Sequence, residues 1–382
     1  MISRAVYDST IREFLTPIAP FLADESVTEV MINGPSEIFV ERKGQLSRTE
    51  ACFGSADKLV SALRVIAQYV GRPFDEAHPI LEARLPDGSR VEALLPPVAP
   101  DGPSVAIRRF SKERLTLEKL LQFGALTEDA AQTLRVLVEC KRNIVVAGGT
   151  GSGKTSLLNA LSAFIPPDER VVVIEDAREL QLQREHVVQF EARPPDARGK
   201  GAISIRDLFK ATLRMRPDRI VLGEIRAGEA LDLIQAMTSG HGGCLTTVHA
   251  SYPIDTLNRL ETLALMSGVE LPLFALRAQL ASAVDLVVQT ARLRDGRRMV
   301  THITEVCGAD PTHGYRLKDI FASVPGQLGA DGKVAFQLEP TGVLPECLPL
   351  IRAHGCELPE GVYETARRAR VVGSEPTPPR NR

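Results

Sequence analysis

Residues 148–155 read GGTGSGKT, and no other stretch limits the fold of this chain so tightly. The segment before it, RNIVVA, is apolar and β-branched; the one after it, SLLNALSAFI, has helical periodicity. A glycine-rich turn between a strand and a helix lets the backbone curl until successive N–H groups converge, and the helix N-terminus adds its positive end at the same point. Gly148, Gly149, Thr150, Gly151, Ser152 and Gly153, followed by Lys154, Thr155 and Ser156, therefore form a cradle for phosphate. Lys154 supplies a point charge to the β and γ phosphates and Thr155 a hydroxyl to Mg²⁺, so ATP and Mg²⁺ are the expected cofactors.

The surroundings agree with that placement. From Thr127 a helix (127–141) leads to RNIVVAGG, then come a helix (154–164), RVVVIED, a helix (204–215), DRIVLGE, a helix (228–238) and CLTTVHA. Short apolar strands alternating with helices predict a parallel sheet covered on both faces. Ahead of it, residues 1–22 read as one amphipathic helix with Ile11, Phe14, Leu15 and Ile18 on a face. Alternating segments cut by Asn33-Gly34, Lys43-Gly44 and Asp87-Gly88 follow, with a helix from Ser55 to Gly71 among them. The fold class is thus α/β, a parallel-sheet phosphate-loop domain preceded by a smaller α+β domain. The expected organisation is an N-terminal domain over 1–110, a linker over 111–126, the sheet domain over 127–307, a C-terminal subdomain over 308–370 with a strand pair turned at Asp295-Gly296 ahead of it, and a disordered tail over 371–382.

A phosphate loop that hydrolyses its nucleotide needs an acid near Mg²⁺ and a group to orient or deprotonate water. Two apolar strands end in acids: VVVIED in Glu175-Asp176 and RIVLGE in Gly223-Glu224. Carboxyl ends of strands are where ligands sit in such sheets. Glu224 is assigned the water-activating role, while Glu175, with Asp176 as second choice, would help hold Mg²⁺ or the water.

GHGGCLTTVHAS (240–251) sets His241, Cys244 and His249 in metal-ligand types. An extended strand puts Cys244 and His249, five apart, on opposite faces, and zinc prefers four ligands. His249, at the strand end, is the candidate site residue. The six cysteines (52, 140, 244, 307, 347 and 356) contain no C-x-x-C pair, which excludes a four-cysteine zinc ribbon and suits reduced thiols. With a net charge of −2, binding to polyanions over the whole surface is not expected. The arginines of KERL and ARRAR read as solvated faces, so no nucleic acid is expected as partner. No segment approaches the roughly 18 apolar residues of a membrane span, and MISRAVYDSTIREFL lacks the apolar core of a signal peptide.

GGTGSGKT, VVVIEDAREL, RMRPDRIVLGEIRAGEALDLIQAMTSGH and TTVHAS resemble, in order and spacing, the Walker A, acidic, Walker B and histidine boxes of the type II/type IV secretion and pilus ATPases. The likeness covers roughly residues 25–307 and is greatest to the tight-adherence (Tad) pilus ATPases, the CpaF-like branch. It implies a RecA-like ATPase domain in a homo-hexamer, peripheral at the cytoplasmic face of the inner membrane. ATP-driven motion would act on a membrane platform protein to extend or retract a filament. By resemblance Lys154, Thr155, Glu175, Glu224 and His249 carry over to their boxes, and Arg84, Arg90 and Arg108 match N-domain cations that face the phosphates. The chain departs from the pattern in the short segment ahead of VTE, in Arg198 where an acid is common, and in the Arg226-Ala227-Gly228 step.

Overall fold

A computed structural model describes residues 4–42, 44–110, 115–182, 184–196, 199–293, 295–310, 312–328 and 334–372. Arg114 of KERL, Arg198 and the tail from 373 lie outside these. The chain divides into two compact units, Met1–Glu113 with Pro195–Ala202, and Arg114–Pro194 with Ile203–Arg382.

The first unit opens with α1 (Arg4–Phe14), a 3₁₀ turn (Thr16–Ile18) and α2 (Ala19–Ala23). The single helix expected over 1–22 is broken because Pro17 and Pro20 lack an N–H and clash with the turn before them. Ile11, Leu15 and Ile18 are still buried, whereas Phe14 is exposed. β1 (Val27–Asn33), β2 (Glu37–Arg42), β3 (Gln45–Arg48), β4 (Ile80–Arg84), β5 (Arg90–Leu94) and β6 (Ser104–Arg108) form an antiparallel sheet in the order β3-β2-β1-β6-β5-β4. Helix α3 (Ala56–Val70) starts where Ser55 Oγ accepts from Lys58 N and stops at left-handed Gly71. Its Leu59, Leu63 and Ile66 share one core with Val30, Ile32, Val91 and Ile107 of the sheet.

The second unit begins with α4 (Leu117–Gln122) and α5 (Glu128–Glu139), then β7 (Ile144–Gly148), α6 (Lys154–Ser162), β8 (Val171–Glu175), β9 (Val187–Glu191) and α7 (Ile205–Thr212). It continues through β10 (Arg219–Leu222), α8 (Glu229–Thr238), β11 (Leu245–Val248), α9 (Pro253–Leu265), α10 (Leu273–Ala283) and β12 (Leu286–Arg292). Last come β13 (Arg298–Asp310), β14 (Gly314–Leu328), β15 (Val334–Pro340), α11 (Leu348–Ala353) and α12 (Glu360–Val372). The nine strands run β15-β14-β13-β12-β7-β11-β10-β8-β9, parallel from β12 to β9 and antiparallel from β12 to β15.

Successive residues of one strand serve two cores. Ile144, Val146, Val171 and Val173 pack with α5 and α6, while Val145, Ala147, Val172 and Ile174 pack with α7, α8, α9 and α10. That is why these strands read as unbroken apolar runs. Two features differ from the sequence expectation. β9 adds a parallel edge strand beside β8 from the half-polar stretch VVQFE, which lacks the apolar signature of its neighbours. The boundary drawn between 307 and 308 falls inside β13, because β14 and β15 extend the same sheet by antiparallel pairing.

Arg219 opens β10 fully enclosed, 1% exposed. Its guanidinium donates to Glu169 Oε2 at 2.5 Å, to the Val138 carbonyl at 2.8 Å and to the Gly243 carbonyl at 3.4 Å. The GHGG turn has to pass over it: Gly243 has φ +79°, and a Cβ there would stand 2.2 Å from an Arg219 nitrogen. Gly243→Ala is expected to cost about 2–4 kcal/mol, read as a lower urea midpoint; a midpoint equal to the wild type would contradict this packing.

Candidate functional site

β7, β11, β10 and β8 are consecutive and parallel, so their carboxyl ends open on one edge of the sheet. Chain order scatters Gly148, His249, Glu224 and Glu175 over about a hundred residues, and sheet order brings their strand ends side by side. The loop from Gly148 leads into α6, whose first residue is Lys154, with Thr155 and Ser156 completing its first turn.

Lys154 is 7% exposed, and its Nζ donates to the Gly149 carbonyl at 3.0 Å and to His249 Nδ1 at 3.3 Å. An ammonium has only protons to give, so Nδ1 carries the lone pair and Nε2 the proton. Nε2 faces Glu224 Oε1 at 3.2 Å. Burial and the Lys154 charge hold His249 below the ordinary imidazole value, leaving it neutral at pH 7. Glu224 Oε2 accepts from Arg226 at 3.2 Å, and Arg226 also donates to Asp176 Oδ2 at 2.9 Å. One continuous chain of polar contacts thus joins Lys154, His249, Glu224, Arg226 and Asp176.

Glu175 stands apart from that chain. It is 3% exposed, and its Oε1 accepts from the N–H groups of Glu179 and Leu180, both at 2.9 Å. Its Oε2 is buried without a hydrogen-bond partner. Burial pushes the carboxyl up to about 7 even against the two backbone donors. A free, buried carboxylate oxygen at a strand end is an acceptor for a water proton or for an oxygen-seeking cation.

Several site residues were not picked out from the sequence. Glu229, 5% exposed, accepts from the N–H groups of Arg226 (2.6 Å) and Ala227 (2.8 Å) and so shapes the turn that carries Glu224 and Arg226. Thr247 Oγ1 donates to the Gly223 carbonyl at 2.7 Å, and Gln289 Nε2 to the Ala250 carbonyl at 3.0 Å. The available signal was their polarity: LTTV and LVVQT are central strands with polar residues inside an apolar run. The histidine stretch is resolved as well. Cys244 is fully buried, its thiol donates to the His241 carbonyl at 3.0 Å, and burial pushes it up to about 12. Among the described residues no cluster of His, Cys, Asp or Glu is arranged to hold a metal.

Arg84, Arg90 and Arg108 belong to the first unit. Arg84 pairs with Arg90 across β4 and β5, and Arg90 with Arg108 across β5 and β6, with Glu29 continuing the row on β1. Directly opposed residues share a sheet face, so these three arginines lie in one row on that face.

A strand, a glycine loop and a helix headed by lysine, beside strands ending in acids, define an ATP-binding α/β protein. The chain belongs to the type II/IV secretion system protein family, a family of secretion and pilus ATPases, whose model matches residues 12–340. It is 35% identical over 292 residues to a putative conjugal transfer protein of Mycobacterium tuberculosis, covering 75% of this chain and 82% of that one. With the conjugal transfer protein TrbB of Rhizobium radiobacter it shares 34% over 321 residues, 82% of this chain and 92% of the relative. The X-ray structure of the Legionella pneumophila ATPase DotB matches in fold, with a TM-score of 0.53 at 18% identity over 94% of this chain and 87% of that one. The relatives' names support the broad superfamily expected from the boxes; the narrower likeness to tight-adherence pilus ATPases is not among them. Among the described residues no helix is long and apolar enough to cross a membrane.

Glu175 also makes stability depend on pH. Between the ordinary carboxylate value of 4.5 and about 7 the folded state holds a proton that the unfolded chain has shed. Stability therefore falls as pH rises from about 4.5 and levels off above about 7. Glu175→Gln is expected to flatten that slope, by about 1–3 kcal/mol across the window; urea unfolding of both proteins at pH 4.5 and 8 measures it, and parallel pH curves would contradict the burial of this carboxyl.

Proposed function

We propose that the chain is a motor ATPase with a RecA-like P-loop domain (127–307) preceded by an N-terminal domain (1–110). It works as a homo-hexamer peripheral at the cytoplasmic face of the inner membrane, where ATP turnover moves a platform protein of a pilus or secretion apparatus. The observation that carries the reading is the run of contacts from Lys154 through His249 to Glu224, Arg226 and Asp176. It joins the four boxes into one site, so that the lysine which touches phosphate is wired to the acids that respond to it. Membership of the secretion family supports the coupling to a membrane machine.

Within that site, Gly148 to Ser156 wrap the phosphates. The buried, unpartnered Oε2 of Glu175 supports placing the attacking water's proton there. Glu224, assigned that role from the sequence, has both oxygens engaged by His249 and Arg226, which makes it a poorer acceptor. Thr155 and Asp176 are the residues that would hold Mg²⁺, and bound there the ion would offset charge on the β and γ phosphates. Arg84, Arg90 and Arg108 are candidates for phosphate contact by the resemblance of their segments alone, and guanidinium groups suit the spreading charge of a transferred phosphoryl group.

The resemblance of the boxes points to a tight-adherence pilus, whereas the names of the relatives favour a second reading, a conjugal or type IV secretion apparatus. Recovering membrane partners from native membranes with a hydrolysis-deficient variant in ATP separates them: a pilin-assembly platform supports the first, a transfer-channel component the second, and soluble partners alone would overturn the motor reading. Lys154→Ala should lose nucleotide binding or turnover. Glu175→Gln should keep binding and slow hydrolysis about 10²–10⁴-fold; unimpaired hydrolysis in it, with Glu224→Gln slowed instead, would return the role to Glu224.

A further inference from the structure

The loop that grips phosphate is itself gripped from one side by the hairpin of β12 and β13. At its base, Thr290 Oγ1 lies 2.8 Å from Ser152 Oγ and donates to the Ala147 carbonyl at 2.9 Å. The approach is so close that a Cβ on Gly148 would stand 2.3 Å from Thr290 Oγ1 and 2.4 Å from Ser152 Oγ. Toward the hairpin tip, Arg292 and Arg298 are directly opposed across the two strands. Arg298 Nε donates to the Gly151 carbonyl at 2.8 Å, and an Arg292 nitrogen stands 3.3 Å from where a Gly151 Cβ would be. Two separate contacts from adjacent turns of the ladder therefore hold the same glycine loop, one a hydroxyl on Ser152 and the other a cation on Gly151.

A phosphate loop binds by pointing N–H groups inward, and a carbonyl that turned inward would set a negative dipole end against the ligand. The peptide is planar and trans, so fixing the Gly151 carbonyl also fixes the direction of the Ser152 N–H, which in this structure donates to the Gly149 carbonyl at 3.3 Å. Gly151 has φ +69°, a region in which glycine can also swing to other conformations at little cost. An outward cation is thus what such a peptide needs in order to keep one orientation.

We propose that the β12–β13 hairpin is a clamp on the phosphate loop, with Arg298 as a positioning residue that keeps the loop in its anion-binding form and so sets affinity for the diphosphate part of the nucleotide. The proposal rests on the reading of residues 148–155 as the nucleotide cradle. Arg298 meets the loop at the Gly151 carbonyl, so the clamp predicts that ATP and ADP lose affinity alike when it is removed, while AMP is indifferent.

The test measures equilibrium binding of ATP, ADP and AMP, together with steady-state hydrolysis, for the full chain, Arg298→Met, Arg298→Lys and Thr290→Val. Thermal unfolding without nucleotide checks that each variant is folded. Losing a charge-assisted hydrogen bond is expected to weaken ATP and ADP equally, about tenfold or more in Arg298→Met. KM should rise by a similar factor with kcat at saturation held, and Arg298→Lys, which keeps a donor, should recover most of the loss. Thr290→Val should weaken the same two ligands. Unchanged affinity in folded Arg298→Met overturns the clamp, as does a loss confined to ATP, or a lysine variant no better than methionine. Absence of nucleotide binding in the wild type would instead overturn the cradle reading itself.

Discussion

A lysine that is only 7% exposed must find acceptors for its ammonium group, and Lys154 finds them in the Gly149 carbonyl and in His249. That requirement organises the rest of the site. Because lysine can only donate, it selects one tautomer of His249, whose remaining proton then meets Glu224. Glu224 in turn holds Arg226, and Arg226 holds Asp176. Lys154, His249, Glu224 and Arg226 thus each have two partners along one line. The Glu229 carboxylate, holding the N–H groups of Arg226 and Ala227, keeps that line from slackening at its bend.

The line exists only because the sheet places its members on one edge. Four parallel strands covered on both faces keep their carboxyl ends level, and the two cores on either side leave those strands no freedom to slip by a residue without exposing valine and isoleucine. The opposite edge is secured by polar groups. Asn143 donates to the Ala283 carbonyl and accepts from Cys244 N, and Asp285 accepts from Asn143 N. Arg219 binds α5, the loop at Glu169 and the GHGG turn together. Gly243, two residues after His241, therefore makes room for a buried arginine.

Much of this was legible in the sequence where local chemistry and fold demand the same residue. GGTGSGKT between an apolar strand and a helix placed the loop and α6, and strand-final acids placed Glu175 and Glu224 at the working edge. The apolar spacing over 1–22 is helical, while Pro17 and Pro20 forbid a continuous helix. β9 was missed because an edge strand need not be apolar on both faces. The proposed division of labour between the two acids rests on which oxygen is already bonded, and the partners, Arg226, His249 and the N–H groups of Glu179 and Leu180, arrive from tertiary structure. Thr290 and Arg298 lie some 140 residues from the loop they touch, a pairing that no spacing rule reveals.

The central claim is that this chain recognises its ligand through a run of phosphates held by residues 148–155 and Lys154. Titrating the wild-type protein with inorganic pyrophosphate against bound ADP tests it most directly, since pyrophosphate carries the gripped part of the ligand and nothing else. Competitive displacement of ADP by pyrophosphate is the predicted result. Failure of pyrophosphate to displace ADP at any concentration, with adenosine displacing it instead, would contradict the account.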